Sequence, residues 1–267
     1  MKCSVLGIGL FGPGFESWPA AQAVFSGAAQ YQHTDSAPPP TDLLPAAERR
    51  RATLPTRIAL TAAHEALLHS GVDAENVPAV FSSSSGNPGI IHDLCAMLAA
   101  GDYQISPTRF HNSVHNAASG YYSIAVESHR AVTTLCAFDG SGPAALLEAA
   151  VQATAAETPV LMVCYDLPYP SPLWEARQTF DNWAVALVVA PPSSAGARAQ
   201  IGLADVGPAA TDSTLPDPQL EAARTGNPAA RLLPLLSALA DPDASEIVLR
   251  QGNGRALRVR VSPASRS

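Results

Sequence analysis

The residues best placed for chemistry lie where a predicted strand meets a glycine-rich turn. Residues 132–137 read as a strand, residues 139–142 read Asp-Gly-Ser-Gly, and residues 142–156 are rich in Ala and Leu. This order predicts a strand that turns sharply into a helix. At such an elbow the first helical N–H groups lack partners and the helix dipole is positive, so an anion or a nucleophile is stabilised there. Asp139 would gain from both effects, either as a cap of the helix or in a catalytic role.

The four cysteines do not form a recognisable site. Cys3, Cys95, Cys136 and Cys164 lie far apart, with no CxxC pair and no histidine at metal-ligand spacing. The sequence therefore predicts neither a metal site nor a disulfide framework. Cys136 falls inside the predicted strand, three residues before Asp139, where burial would raise the pKa of its thiol and leave it inert.

Two other chemistries fit parts of the pattern. A serine hydrolase could combine a serine of residues 82–85 with His115 and Asp139, but no glycine precedes Ser84 to complete a Gly-x-Ser-x-Gly elbow. An acyltransferase would use Cys136, which the register puts a turn before the elbow. Around His115, a polar loop or a helix start explains the polar residues as well as a site does.

Composition limits the classes of partner. The chain has 267 residues, and 16 basic against 23 acidic side chains give a net charge of −7. Nothing here favours nucleic acid or an anionic membrane. Charged residues are 15% of the chain, against about 25% in an average soluble domain, which favours a surface covered by another subunit. No segment predicts a signal peptide or a membrane span, and we expect a cytoplasmic protein with reduced thiols.

The elements that must position these residues alternate along the chain, which predicts an α/β fold with a mainly parallel sheet covered on both faces. The predicted helices are 57–69, 90–98, 117–129, 142–156 and 229–240. The predicted strands are 3–10, 78–81, 132–137, 160–164, 184–190, an edge strand at 199–206, and a hairpin of 247–249 with 256–261 turning at 252–254.

Several segments occur in the order seen in β-ketoacyl synthases. These are residues 6–9 (Leu-Gly-Ile-Gly), 106–110 (Ser-Pro-Thr-Arg-Phe), 113–120 (Ser-Val-His-Asn-Ala-Ala-Ser-Gly), 139–142 and 186–189 (Ala-Leu-Val-Val). Together they resemble the N-terminal half of a thiolase-like fold over residues 1–208. The Glu-Arg-Arg-Arg run at 48–51 and the block at 113–120 resemble in particular the short synthase-like subunits of bacterial aryl polyene type II polyketide systems. The resemblance implies an N-terminal synthase domain at 1–208 and a truncated C-terminal half at 209–267, a helix and hairpin that complete the sheet.

The departures from the synthase pattern determine the expected function. A condensing synthase has a cysteine at the elbow that takes the acyl chain as a thioester, whereas this chain has Asp139, which cannot do so. Synthases also use two histidines from the C-terminal half, but all seven histidines here lie at or before His129. The resemblance therefore implies no activity of its own and a chain-length-factor-like subunit that forms a heterodimer with a full-length synthase. An acyl-binding module, or an acyltransferase using its own thiol, is the alternative.

The resemblance also implies contact residues. The corresponding region of synthase dimers lies near the interface and helps to line the acyl tunnel, which makes Phe110, His115, Asn116, Tyr121 and Tyr122 interface or tunnel residues. An arginine run would suit the acidic surface of an acyl carrier protein, which delivers substrate on a phosphopantetheine arm. The run that would make this contact is Arg49, Arg50 and Arg51. No resident cofactor is expected.

Overall fold

A single eight-stranded sheet organises the residues that the computed structural model describes, which are 1–37, 39–40, 42–207, 210–241, 243, 245–252 and 254–264. Its strands are β1 (Lys2–Phe11), β2 (Ala79–Ser82), β3 (Val132–Leu135), β4 (Val160–Asp166), β5 (Trp183–Ala190), β6 (Ala199–Val206), β7 (Ser245–Gly252) and β8 (Arg255–Pro263). The helices are α1 (Trp18–Phe25), α2 (Ala46–Arg49), α3 (Leu54–Ser70), α4 (Pro88–Ala99), α5 (Pro107–Ser113), α6 (Ala117–Ala125), α7 (Ser141–Ala156), α8 (Leu173–Ala176), α9 (Pro218–Gly226) and α10 (Leu233–Ala240). Short 3₁₀ turns occupy Ala74–Asn76, Phe138–Gly140 and Ala229–Leu232.

The sheet is mixed rather than mainly parallel, so that prediction is wrong. The strand order is β3-β2-β4-β5-β1-β6-β8-β7, and only β2 pairs in parallel, with β3 and with β4. The other neighbouring pairs are antiparallel. Helical crossovers separate β2, β3 and β4, as parallel pairing requires, whereas the connection from β4 to β5 contains only the short helix α8. The β7–β8 hairpin adds beyond β6, so β6 is an interior strand and not the predicted edge.

Helices cover both faces of the central strands. Alternate residues of β5 show the division, because Val185 and Leu187 pack with α7 and α10, whereas Ala184 and Ala186 pack with α3 and α6. Helix α3 approaches β1 closely: a Cβ on Gly9 would lie 2.0 Å from the carbonyl oxygen of Ala62. The three layers produce the expected α/β fold, with small residues allowing the closest helix contact.

The C-terminal region contains more helix than the sequence indicates. The predicted helix at 229–240 is a 3₁₀ turn followed by α10, and the stretch 208–228 contains α9, so one helix and a hairpin is an incomplete description. Asp217 begins α9, since its Oδ1 accepts hydrogen bonds from the N–H groups of Gln219 and Leu220 at 2.8 and 3.0 Å. The predicted hairpin is present, and it extends the sheet. The proposed boundary at 208/209 and Asn253 of the turn lie outside the described residues.

Candidate functional site

Three strand ends bring polar residues together at one edge of the sheet. Because β2, β3 and β4 are parallel, their carboxyl ends lie on the same side of the sheet. Open α/β sheets place their sites beside these strand ends. Ser83 and Ser84 follow β2, the elbow with Asp139 follows β3, and Asp166 ends β4. The elbow site is defined here as these residues with Arg177 and Arg231.

The elbow forms as predicted, but Asp139 does not cap the helix. Phe138 has a φ of +53°, and Asp139 lies in the 3₁₀ turn that precedes α7. The hydroxyl of Ser141 accepts from the N–H of Ala137 at 3.1 Å and donates to the carbonyl of Phe138 at 2.7 Å, so Ser141 fixes the turn. The N-cap of α7 is Gly140, with no side-chain cap. A Cβ on Gly140 would lie 2.1 Å from the carbonyl oxygen of Gln251 in β7, which leaves room only for glycine.

The carboxylate of Asp139 instead joins two arginines from distant segments. Arg177 Nη2 donates to Oδ1 at 2.6 Å, and Arg231 Nη2 donates to Oδ2 at 3.1 Å. The guanidinium of Arg177 also lies 3.6 Å from the centroid of the Phe138 ring and donates to the Tyr169 hydroxyl at 2.7 Å. Both oxygens of the elbow carboxylate are thus engaged by cations.

Asp166 forms a second, buried part of the elbow site. Its Oδ1 accepts from the Ser83 hydroxyl at 3.0 Å and from the N–H and hydroxyl of Ser84 at 2.9 and 2.8 Å, while its buried Oδ2 has no partner among the described residues. Burial raises the pKa of Asp166 to about 7, although the serine hydrogen bonds and the charge of Arg177 act in the opposite direction. Arg177 Nη1 lies 3.5 Å from the Ser84 hydroxyl and links the two parts.

His115 and Cys136 lie beside this cluster without forming a nucleophile–base pair. His115 Nε2 is 3.0 Å from the backbone carbonyl of Ser83, so within the described region the serine hydroxyls contact Asp166 rather than imidazole. Cys136 follows the last residue of β3 and is exposed, and its thiol donates to the carbonyl of Ser84 at 3.2 Å. The prediction that Cys136 is buried is therefore wrong, because β3 ends one residue earlier and lies at the edge of the sheet.

The five predicted interface and tunnel residues differ in exposure, with His115 partly buried. Phe110 on α5 is 62% exposed and Asn116 is exposed before α6, as a surface contact requires. Tyr121 and Tyr122 are each 1% exposed and pack in the core with α3, so they present little surface in this chain, and an interface role for them stays a prediction. Burial raises the pKa of both phenols. A tunnel role for the five residues stays a prediction.

Helices α4 and α5 expose several large apolar side chains, among them Phe110. Helix α4 reads Pro-Gly-Ile-Ile-His-Asp-Leu-Cys-Ala-Met-Leu-Ala, yet only Pro88 of it is buried. The α4–α5 surface is defined here by its exposed large apolar side chains, which are Ile91, Leu98, Tyr103, Phe110 and Val114. Strand β3 is an edge strand whose four residues are all only partly buried. An apolar helix that buries so little within its own chain is typical of a protein interface.

The arginine run is on the surface but is partly neutralised. Arg49, Arg50 and Arg51 are all exposed. Arg49 Nη1 is 2.9 Å from Asp42 Oδ1, and Arg51 Nη1 is 3.1 Å from Glu48 Oε1. A role in contacting a carrier protein stays a prediction.

Sequence reasoning missed Arg177, Arg231 and Asp166. Asp166 could have been found, because a carboxylate that follows an apolar run lies at the carboxyl end of the strand, where α/β sheets place their sites. The arginines gave no signal, since they are 38 and 92 residues from Asp139 in the chain. No group of three or more His, Cys, Asp or Glu side chains within the described part of the chain could hold a metal ion, and no helix there is long and apolar enough to cross a bilayer.

Comparison with known proteins establishes the family. The profile of the beta-ketoacyl synthase N-terminal domain matches residues 21–250, so the chain belongs to that family. No curated protein matches the sequence.

Solved structures confirm the thiolase-like ketosynthase fold. A chain from the complex of a ketosynthase (ApeO) with its chain length factor (ApeC) from Xenorhabdus doucetiae is similar with a TM-score of 0.73 at 20% identity, over 97% of this chain and 99% of that one. A chain of the ishigamide ketosynthase/chain length factor gives 0.72 at 14% identity, over 99% and 100%. A chain of AntDE:AntF, a type II polyketide acyl carrier protein in complex with its ketosynthase, gives 0.72 at 14%, over 98% and 99%.

Proposed function

We propose that this protein is a non-condensing, chain-length-factor-like subunit that pairs with an active β-ketoacyl synthase in polyketide chain elongation. The observation that carries this proposal is the elbow, where Asp139 stands at the position of the acyl-accepting cysteine and lies between Arg177 and Arg231. A carboxylate in this setting forms no thioester with an acyl chain. The elbow therefore keeps the fold of a synthase without its nucleophile.

The partner role is supported by the α4–α5 surface and by the free edge of β3. A strand edge offers unpaired N–H and C=O groups, and exposed apolar side chains lose contact with water when a partner covers them. Phe110 and Leu98 are 62% and 47% exposed, which is costly for a chain that works alone. The elbow follows β3 directly, so the free edge of the sheet adjoins the elbow site.

The similar structures support the kind of partner. Two of them contain a ketosynthase with a chain length factor, and one contains an acyl carrier protein. We therefore propose a full-length synthase as the partner and a carrier protein as the source of phosphopantetheine-bound substrate. The resemblance at residues 48–51 and 113–120 extends the proposal to aryl polyene synthesis. Four free thiols fit a cytoplasmic setting.

The test is co-expression of this chain with the full-length synthase encoded nearest to its gene. Native mass measurement of the purified material should give a 1:1 complex. We expect the interface of this complex to bury more than the ~1,600 Å² of a standard interface. A chain that stays monomeric beside every synthase of its source would refute the proposal.

One observation favours the alternative of an acyltransferase that uses Cys136. The thiol is exposed, so a substrate could reach it. Within the described part of the chain its thiol contacts the backbone carbonyl of Ser84 rather than a basic side chain that could activate it. Intact-mass detection of an acyl group on Cys136 during turnover would favour this alternative over the subunit role.

A further inference from the structure

A cleft of about 650 Å³ opens beside the elbow, on the side of the β7–β8 hairpin. Its charged lining consists of Arg231 from the 3₁₀ turn, Arg250 from β7, Arg255 from β8 and Asp139. Three arginines against one aspartate give this lining a net charge of +2, in a chain whose net charge is −7. A concave, positively charged site in an acidic protein concentrates anions from solution.

The three arginines differ in how far they are already engaged. The guanidinium of Arg250 forms no ion pair or hydrogen bond within the described part of the chain, and Arg231 has a buried Nε without a partner there. Arg255 contacts Asp205 at 2.6 Å, with both side chains more than half exposed. Asp212 lies near the backbone N–H of Arg250 but is paired with Arg224 at 2.7 Å. Donor capacity therefore remains in the cleft.

We propose that this cleft binds a phosphate group. The arginines come from three separate segments, and a tetrahedral phosphate presents three acceptor oxygens and nearly two negative charges, whereas a carboxylate presents two oxygens and one charge. Guanidinium groups match phosphate geometry through paired N–H donors. The volume lies within the range of small-molecule sites, so the phosphate can carry an attached chain. The phosphate site does not depend on the subunit role, and only the second probe used below is chosen because of the proposed function.

Calorimetric titration of the full chain at constant ionic strength tests this site with two probes, inorganic phosphate and 4′-phosphopantetheine. Binding of both with similar affinity identifies the phosphate alone as the ligand, and tighter binding of the second shows that the cleft also contacts the attached arm. Replacement of Arg250 by Gln should weaken binding about tenfold, the effect of losing one charged hydrogen-bond partner. Because Arg250 is exposed, Arg250→Gln should keep the native circular dichroism spectrum.

Arg260→Gln is the matched control. It removes the same charge from the same hairpin, but Arg260 is paired with Glu246 at 3.1 Å and lies outside the cleft lining. Binding should be unchanged in this variant. Equal weakening in Arg250→Gln and Arg260→Gln would reveal only the overall charge of the hairpin and overturn the site. Failure of the unaltered chain to bind either probe would overturn it as well.

Discussion

Asp139 illustrates how a carboxylate at the elbow can be used for structure. It accepts from Arg177 in the loop after β4 and from Arg231 in the 3₁₀ turn before α10, so one side chain connects three segments that are remote in sequence. Gly140 and Ser141 shape the turn independently of it. The carboxylate is therefore a connector between loops rather than a helix cap.

Replacement of Asp139 by Ala should lower the free energy of unfolding by about 1 kcal/mol, because two ion pairs are lost but a side chain that is 41% exposed is screened by water. Urea denaturation followed by circular dichroism measures the change. Asp205→Ala is the control, since it breaks a single pair with Arg255 on the open surface and should cost less than about 0.5 kcal/mol. Equal losses in the two variants would contradict the connecting role.

The pKa of Asp166 predicts a dependence of stability on pH. Burial raises this pKa from 3.8 to about 7, so the folded chain holds a proton that the unfolded chain has released between these values. The contribution of Asp166 to the free energy of unfolding must then fall as pH rises from about 4 to about 7 and level off above that. Urea denaturation across this interval should give a smaller decline in Asp166→Asn, which cannot ionise. Parallel pH profiles of the two proteins would show that Asp166 does not titrate in this range.

At the scale of elements, α4 is stable in position without being buried. It begins at Pro88, with the Asn87 side chain accepting from the N–H of Ile90 at 3.2 Å, and no residue of it after Pro88 is buried. Local capping and helix propensity fix such a helix, so its apolar side chains remain available to a partner. Stability and partner binding should therefore respond to different residues of the chain.

Leu98→Glu should weaken or abolish the complex with the synthase while changing the free energy of unfolding of the isolated chain by less than about 0.5 kcal/mol, because Leu98 is 47% exposed. Leu68→Glu is the control. Leu68 is 67% exposed near the end of α3. Because α3 runs antiparallel to β1, it ends near the start of β1, away from the carboxyl ends of β2, β3 and β4. Co-purification with the synthase measures both variants. Loss of the complex in Leu68→Glu but not in Leu98→Glu would place the interface elsewhere.

The strong local patterns were sufficient to predict most elements. The helix at 142–156, the strands at 160–164 and 184–190, and the 247–261 hairpin were found because apolar periodicity and turn residues act locally. The prediction of a mainly parallel sheet was wrong because the direction in which two strands pair depends on how the intervening chain connects them. No local pattern specifies that connection. Helix α9 was missed since its Pro- and Asp-rich start resembles a loop, although Asp217-Pro218 is a cap followed by a favoured first residue.

The elbow was predicted correctly as a backbone turn and incorrectly in its side-chain contacts. Gly140 and Ser141 are neighbours in sequence that define the turn themselves, so the pattern contained the information. The partners of Asp139 come from loops whose positions depend on the packing of the whole sheet. The exposure of Cys136 likewise depends on β3 being the edge strand, which is a property of the strand order and not of residues 132–137.

For the whole molecule, the distribution of apolar surface agrees with the low content of charge. Charged residues are 15% of the chain, the α4–α5 surface exposes five large apolar side chains, and β3 leaves a free sheet edge. The β7–β8 hairpin, which forms the other edge of the strand order, has exposed arginines instead. The α4–α5 surface thus suits a protein partner, whereas the cleft between the hairpin and the elbow suits an anionic ligand.

The most direct prediction for the whole molecule concerns carbon–carbon bond formation. The purified chain, given malonyl-loaded carrier protein and an acyl primer without a synthase, should form no product, because Asp139 cannot accept the acyl chain and all seven histidines lie at or before His129. Product analysis by mass spectrometry measures this, and addition of the partner synthase should restore elongation as a positive control. Asp139→Cys alone should also be inactive, since a thiol at the elbow would still lack the bases that drive decarboxylation. Product from the unaltered chain that disappears in folded Asp139→Ala would mean that the elbow carboxylate takes part in the chemistry.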